Sequence, residues 1–533
     1  MCGIFAYLGI SYNEDKLKEF ALKIQHRGPD NSIYQWITPK LFFGFHRLAI
    51  NGLNSESNQP MEHNGYHMIC NGEIFNYKDL IKKYELEDVY KSGSDCEIIL
   101  HLIEKIGLDA CCNELDGEYA FVVYDEKEKN LMIGRDQLGI RSLFWTINED
   151  DCGNKQVGVC SEAKGLVGFG LDIHQFPVNT CWDLRSNEFR PIYDLYVPFT
   201  EDDEETIIKK VREKMECAVK KRMMSERNIA CLLSGGLDSS SITSLVSKYI
   251  KESGKDQELH TYTIGIEGSP DPVNAQIVAD YLGTKHHVFS PSEEDLLNAL
   301  EKTIYQIESY DTTSVRASVG NYLISLYIRE TSDNVVIFNG DCSDELFCGY
   351  IGFSLAQNEK QLYESNLHMI KNIQYFDVLR SDKSISGAGL EARTPLSDPD
   401  FVKYIMSIPP KYKMFHKNKM EKYIYRKAVE DILPESIVWR QKAAFSDAIS
   451  KEERSWCVII KEYVDKIYSN EEYEEKRQKY TFNRPYDKES LFYREIFEKY
   501  YPNQGHLIPY FWRQPFVTNT LDPSGRLLEK ELL

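Results

Sequence analysis

The seven residues Ser234-Gly235-Gly236-Leu237-Asp238-Ser239-Ser240 constrain this chain more than any other stretch. A short apolar run, Ile229-Ala230-Cys231-Leu232-Leu233, precedes them, and Ile242-Thr243-Ser244-Leu245-Val246 follows with the character of a helix. A buried strand that ends in a glycine-rich turn and opens a helix exposes unpaired backbone N–H groups to an anion. Two glycines let the backbone approach phosphate closely, and Ser234, Ser239 and Ser240 add hydroxyl donors. Asp238 would repel a bare phosphate, so the loop implies a bridging Mg²⁺. The lysine that a Walker loop carries after its last glycine is absent. The simpler alternative is an ordinary Gly-Ser turn at a helix start.

The loop resembles the SGGxDS pyrophosphate loop of the ATP pyrophosphatases, which cleave ATP to AMP and pyrophosphate. That resemblance implies ATP as a substrate. The chain has 533 residues, too many for one ordinary core, so two or more domains are expected. A net charge of −20 argues against a nucleic-acid surface. No apolar run approaches the roughly 20 residues that span a bilayer, and no basic-then-apolar leader opens the chain. Thirteen cysteines without CxxC spacing fit neither a disulfide framework nor a zinc site. A cytoplasmic protein is the expectation.

The chain begins Met1-Cys2-Gly3. Removal of Met1 would leave Cys2 with a thiol and a free α-amine, a nucleophile and a base on one residue. An incidental cysteine is the usual reading of a lone Met-Cys start, but company follows. His26-Arg27-Gly28-Pro29-Asp30, Phe45-His46-Arg47-Leu48, Cys70-Asn71-Gly72-Glu73, Ser92-Gly93-Ser94-Asp95 and Asp116-Gly117-Glu118-Tyr119 come in order. Over residues 2–190 they resemble the N-terminal-nucleophile glutaminase domain of the class II amidotransferases. The resemblance makes Cys2 the nucleophile and gives the oxyanion donors to the Asn71 side chain and the Gly72 N–H. Arg47, beside Leu48, would take the glutamine α-carboxylate, and Asp95 with Glu73 its α-ammonium. His26 and Arg27 would shape the loop around the site. Strands are expected over 67–70, 120–124 and 131–134 and a helix over 96–106, in a sandwich of two β layers flanked by helices.

An acidic, non-periodic stretch near 198–205 reads as the linker, with a helix over 205–222 after it. Strand and helix then alternate: 261–266, 272–282, 287–289, 293–306, 318–330 and 335–338. Alternation implies a parallel sheet with ligands at the carboxyl ends of its strands. Asn339-Gly340-Asp341-Cys342-Ser343-Asp344-Glu345 falls at such an end. It resembles the SGEGSDE segment of the glutamine-hydrolysing asparagine synthetases. Glu308–Asp311, Val315–Ser318, Glu391–Pro395, Trp439–Lys442, Tyr493–Phe497 and Asp522–Arg526 extend the match through the tail.

The resemblance implies synthesis of asparagine from L-aspartate, L-glutamine and ATP through β-aspartyl-AMP and channelled ammonia, with Glu162 as a channel residue. It assigns ATP contacts to Leu232, Ser234, Gly235, Gly236, Asp238, Ser239, Ile264, Asn339 and Gly340, and Mg²⁺ to Asp238 and Asp344. Lys442 would stabilise the departing pyrophosphate, Arg316 would bind an aspartate carboxylate, and Asp341 would take the proton from attacking ammonia. Relatives carry glutamate at the position of Asp341, serine at Asn339 and glycine at Cys342. Two alternatives therefore stay open: an adenylating amidotransferase with another acceptor, and a degenerate ATP- or glutamine-binding protein. The expected fold class is α/β. It combines an αββα glutaminase sandwich over 2–197 with a doubly wound parallel-sheet domain over 205–533, helical in its C-terminal part. No nucleic acid or membrane partner is expected, and the sequence leaves a homodimer open.

Overall fold

The structure, a computed structural model, describes residues 1–149, 155–169, 172–194, 197–254, 257–415, 420–442, 450 and 454–517. The tail motif 522–526 lies outside the described residues. Two compact units divide the chain. The first holds Met1–Asp194, Met224–Arg227 and Ile385–Glu391; the second holds Leu195–Met223, Asn228–Ser384 and Ala392–Leu533.

The first unit is built on two six-stranded antiparallel sheets. One runs in the order His174–Gln175, Phe144–Glu149, Lys155–Cys160, Gly3–Leu8, Leu41–Arg47, Asn31–Thr38. The other runs Phe189–Pro191, Thr180–Asp183, Asn130–Arg135, Gly117–Asp125, Tyr66–Ile74, Met61–His63. The period of two along a strand sorts side chains between layers. Ile69, Ala120, Val122 and Ile133 join Ile4, Ala6, Phe43 and Val159 between the sheets. Met68, Cys70, Phe121 and Val123 face the other way, onto Ile98, Ile99 and Leu102 of the helix Ile98–Ile106. Leu17, Phe20 and Ala21 of the helix Glu14–Leu22 cover the first sheet, where Gly44 leaves room for the Ala21 methyl. The αββα layering follows. The strands Leu41–Arg47 and Gly117–Asp125 are buried along their whole length.

The second unit carries a five-stranded sheet in the order Lys285–Phe289, His260–Ile264, Ile229–Leu232, Val336–Phe338, Glu391–Arg393. Ile229–Leu232 pairs in parallel with both neighbours, His260–Ile264 and Val336–Phe338. From this strand the chain winds first to one side and then, after Phe289, to the other. The switch of direction lies between Leu232 and Phe338, where crevices open at strand carboxyl ends. The helix Thr312–Thr331 starts six residues before the expected 318 because Asp311 caps it, accepting from the N–H of Ser314. The acidic stretch read as a linker packs within this unit. Thr200 donates its N–H to Ser407 O (2.7 Å), and Asp203 caps the helix Glu204–Lys221. No helix among the described residues is long and apolar enough to cross a membrane.

Candidate active sites

Cys2 immediately precedes the strand Gly3–Leu8, half-buried, and packs against the cluster that contains Ile69. Its Sγ–H points at Leu48 O, 3.7 Å away. Arg27 donates Nε–H to Cys2 O (3.1 Å) and is itself anchored on buried Glu162 (2.8 Å). Burial would raise the Glu162 carboxyl, but Lys164, His26 and Arg27 hold it well below the usual carboxylate range. Glu162 is thus the base of an ion cluster that steadies the nucleophile's backbone. Gly28 is required for the same reason: a Cβ there would lie 2.1 Å from His46 O.

Asn71 and Gly72 lie on the strand Tyr66–Ile74. The Asn71 side chain is fully buried, yet neither its Nδ2 nor its Oδ1 has a partner among the described residues. A buried amide without partners is costly, and its persistence marks a group reserved for a ligand. Asp95 reaches the same strand end, accepting the Ile74 N–H (2.6 Å), and Asn51 donates to Glu73 (2.6 Å). Arg47 ends the strand Leu41–Arg47 and donates to Asn54 O (2.7 Å), Asn58 Oδ1 (2.8 Å) and Gly52 O. Its fork therefore organises the 52–58 loop, with Nε–H and one Nη2–H not used by these bonds.

Met1 is 1 % exposed, and its α-amine lies 3.7 Å from Glu391 of the same unit. Burial lowers that amine below 8 despite Glu391. Burial also pushes the Cys2 thiol up to about 11. A thiol this weak needs a base beside it.

The second site is a cavity of about 240 Å³ at the strand carboxyl ends. Leu232, Ile264 and Ala317 supply apolar wall; Ser234, Gly236, Asp238 and Ser239 line it from the glycine-rich turn. Ser234 and Ser239 bond each other (3.1 Å), and the helix Leu237–Glu252 has no side-chain cap, so its first N–H groups stay available. Gly235 does not line the cavity. Its φ of +72° and its approach to Asn274 and Ala275 give it the turn instead. Asn339, Gly340, Asp341 and Asp344 line it from the second loop. A Cβ on Gly340 would lie 2.6 Å from the Asp238 carbonyl carbon, so the two loops touch backbone to backbone.

Asp238 and Asp344 converge on one ammonium. Lys422 Nζ lies 2.7 Å from Asp238 Oδ2 and 2.5 Å from Asp344 Oδ1. Lys442 Nζ lies 2.5 Å from Asp344 and 4.3 Å from the centre of the Tyr350 ring. Burial would raise the Asp344 carboxyl, but the two lysines outweigh it and hold it far below the usual range. Asp238 Oδ1 is buried and has no partner among the described residues. Asp344 Oδ1 likewise has ion pairs but no hydrogen bond among the described residues, and two such converging carboxylates suit a hard divalent cation such as Mg²⁺.

Arg316 does not belong to this cavity. Its guanidinium grips Glu489 with two bonds, 2.7 and 2.6 Å, and both side chains are buried. Among the arginines that do line the cavity, Arg380 spans Asp341 (3.1 Å) and Asp377 (2.8 Å). Asp341 also accepts from Asn339 Nδ2 (2.9 Å). Sequence reasoning singled out neither Arg380 nor Lys422, because their partners in the two acidic loops, Asp341 for Arg380 and Asp238 and Asp344 for Lys422, lie far away in the chain. Arg440 joins them, donating to Gly235 O (3.2 Å) and lying 3.4 Å from Asp271, whose carboxyl burial lifts to about 6. In the sequence it appears only as part of the matched stretch Trp439–Lys442, with no role attached.

Residues 1–191 match the glutamine amidotransferase domain family, and residues 210–368 and 354–521 match the asparagine synthase family. The glutamine-hydrolysing asparagine synthetase of Mus musculus is 39 % identical over 99 % of this chain and 98 % of its own length. That of Gallus gallus is 37 % identical over 99 % of both, and that of Homo sapiens 37 % over 99 % and 98 %. Both sites, each on its own fold, thus lie in a sequence related to these enzymes from end to end, and the chain belongs to the glutamine-hydrolysing asparagine synthetase family.

Proposed function

We propose that the chain makes L-asparagine from L-aspartate, taking nitrogen from L-glutamine and energy from the cleavage of ATP to AMP and pyrophosphate. The observation that carries this reading is the meeting of the glycine-rich turn and the 339–344 loop in one cavity that also holds five cationic side chains, Arg380, Lys422, Arg426, Arg440 and Lys442.

At the first site the Cys2 thiolate attacks the glutamine side-chain carbonyl. The α-amine freed by loss of Met1 takes the thiol proton and returns it to the leaving ammonia; water then releases glutamate. Asn71 Nδ2 and the Gly72 N–H receive the oxyanion, a role supported by the unpartnered Asn71 amide. Arg47 takes the α-carboxylate through the N–H groups that its loop leaves over, and Asp95 with Glu73 takes the α-ammonium.

At the second site an aspartate side-chain oxygen attacks the α-phosphorus of ATP, and pyrophosphate leaves. The uncapped helix start, Ser234 and Ser239 face the departing phosphates, and Lys442, held by Asp344 and the Tyr350 ring, adds positive charge. Mg²⁺, held by Asp238 and Asp344, would supply Lewis-acid stabilisation of the phosphate oxygens. Ammonia attacks the acyl carbon of β-aspartyl-AMP, AMP leaves, and Asp341 receives the surplus proton. Arg380 and Asn339 fix the Asp341 carboxylate, which offsets its shorter reach relative to glutamate.

Incubation with aspartate, glutamine, ATP and Mg²⁺ tests the reading directly. Asparagine, AMP, pyrophosphate and glutamate should appear in equal amounts. AMP without asparagine would assign another acceptor, and the absence of AMP would reduce the second site to binding.

A further inference from the structure

Lys422 stands out among the groups that line the second site. It comes from neither nucleotide loop, and its side chain is only 1 % exposed. It immediately precedes the helix Tyr423–Val429, at a left-handed backbone position with φ +56°. Its ammonium donates hydrogen bonds to Asp238 Oδ2 at 2.7 Å and Ser343 Oγ at 2.8 Å and forms an ion pair with Asp344 Oδ1 at 2.5 Å. Its stem lies on Gly349, where a Cβ would come within 2.2 Å of Lys422 Cε and of Asp344 Oδ1 alike. The glycine lets lysine and aspartate occupy the same corner.

The charges in this corner balance without any metal. Two carboxylates, Asp238 and Asp344, face two ammonium groups, Lys422 and Lys442. A divalent cation arriving alone would have to evict a buried ammonium from both carboxylates, in a place where water cannot compensate it. A cation arriving with a nucleotide brings the phosphate charge that the displaced ammonium needs.

We propose that Lys422 is the resident counter-cation of the site: it holds Asp238 and Asp344 together before the nucleotide arrives and then yields them to the divalent cation that accompanies the phosphates. The proposal rests on the reading of Asp238 and Asp344 as metal ligands. It makes Lys422 a positioning residue that imposes joint binding of metal and nucleotide and keeps free metal out.

Mn²⁺ binding, followed by electron paramagnetic resonance on the full chain without nucleotide, tests this. The wild type should bind Mn²⁺ weakly at the site and at least 10-fold more tightly with a non-hydrolysable ATP analogue. Lys422→Met should bind Mn²⁺ without nucleotide at least 10-fold more tightly than the wild type, and Mn²⁺ alone should raise its melting temperature. Equal Mn²⁺ affinity in the two proteins would overturn the proposal. If Lys422→Met does not fold, the wild type decides: tight Mn²⁺ binding without nucleotide, unchanged by the analogue, also overturns it. The readout is independent of asparagine formation, so a failure of the synthetase reading would show in the product assay and a failure of this proposal in the metal titration.

Discussion

A chain that keeps Met1 should lose glutaminase activity in a way that identifies the missing group. With the Cys2 thiol at about 11, only about 3 in 10⁴ molecules would carry a thiolate at pH 7.5. A positioned base contributes roughly 10²–10⁴-fold, so displacing the amine from Cys2 to Met1 should lower glutamate release about 10³-fold at that pH. The pH dependence carries the sharper signature. The Cys2 α-amine works only after losing its own proton, which such amines do at a pKa of about 8. Glutaminase activity of the processed chain should therefore rise with pH, level off above that pKa and fall below it. The Met1-retaining chain, produced with methionine aminopeptidase inhibited, must rely on the thiol's own ionisation. Its rate should climb about tenfold per pH unit toward pH 10. Simple blockage by the buried Met1 side chain would lower the rate without steepening the profile. Asparagine formation from added ammonium salt serves as the control and should be unchanged. Parallel pH profiles in the two proteins would refute the assignment of the amine as base.

Three further outcomes follow from particular side chains. Asn71→Ala should reduce glutamine-dependent turnover by about 10²–10³ and leave ammonium-dependent synthesis intact; equal loss of both activities would remove Asn71 from the oxyanion hole. Arg316→Met should lower stability by about 3–5 kcal/mol through the stranded Glu489 carboxylate, with the double variant Arg316→Met/Glu489→Leu recovering most of it; a raised KM for aspartate without loss of stability would restore Arg316 to the site. His46 is buried, with Ser32 Oγ 2.8 Å from its Nδ1 and its Nε2 bonded to Ala21 O, and burial lowers its pKa to about 4. Its folded pKa lies below the unfolded value near 6.5, so the unfolded state takes up protons first. The contribution is complete above pH 6.5 and is lost as pH falls toward 4. Between pH 7 and 5 the wild type should lose about 2 kcal/mol that His46→Gln does not, as read by denaturant melts of the first unit.

The sequence made legible whatever depends on neighbours in the chain. The strand–turn–helix at 229–252 and the two antiparallel layers follow from local pattern, and Asp95 bonds the end of the strand that carries Asn71 and Gly72. Partners far apart in sequence stayed hidden. Arg316 sits in a segment that matches the family, and only the fold reveals Glu489, 173 positions away, closing on it. Lys422 and Asp238 are 184 positions apart, and nothing in Met420-Glu421-Lys422-Tyr423 announces the pair. Met224–Arg227 and Ile385–Glu391 join the first unit without any shift in composition to mark them.

The 339–342 loop shows why departures from a motif should be judged together rather than one by one. Asn339 donates one amide hydrogen bond to Asp341 Oδ2 and another to Ser381 Oγ (2.7 Å), while Asp341 returns its N–H to Asn339 Oδ1 (3.3 Å). A serine at 339 has a single hydroxyl hydrogen and could not make both donations. The shorter acid and the longer amide are therefore complementary: what Asp341 lacks in reach, Asn339 and Arg380 supply in fixation. Cys342 occupies φ +78°, the left-handed region in which relatives place glycine, so the backbone path is kept at a strain of about 1 kcal/mol. Gly340 remains glycine because it lies against the Asp238–Ser239 peptide, where no side chain fits. The one position in contact with the phosphate loop is unchanged, and the positions that differ are bonded to one another or absorb the difference in the backbone. That pattern is expected of a loop adjusted around a working site, and it weighs against a site that has decayed.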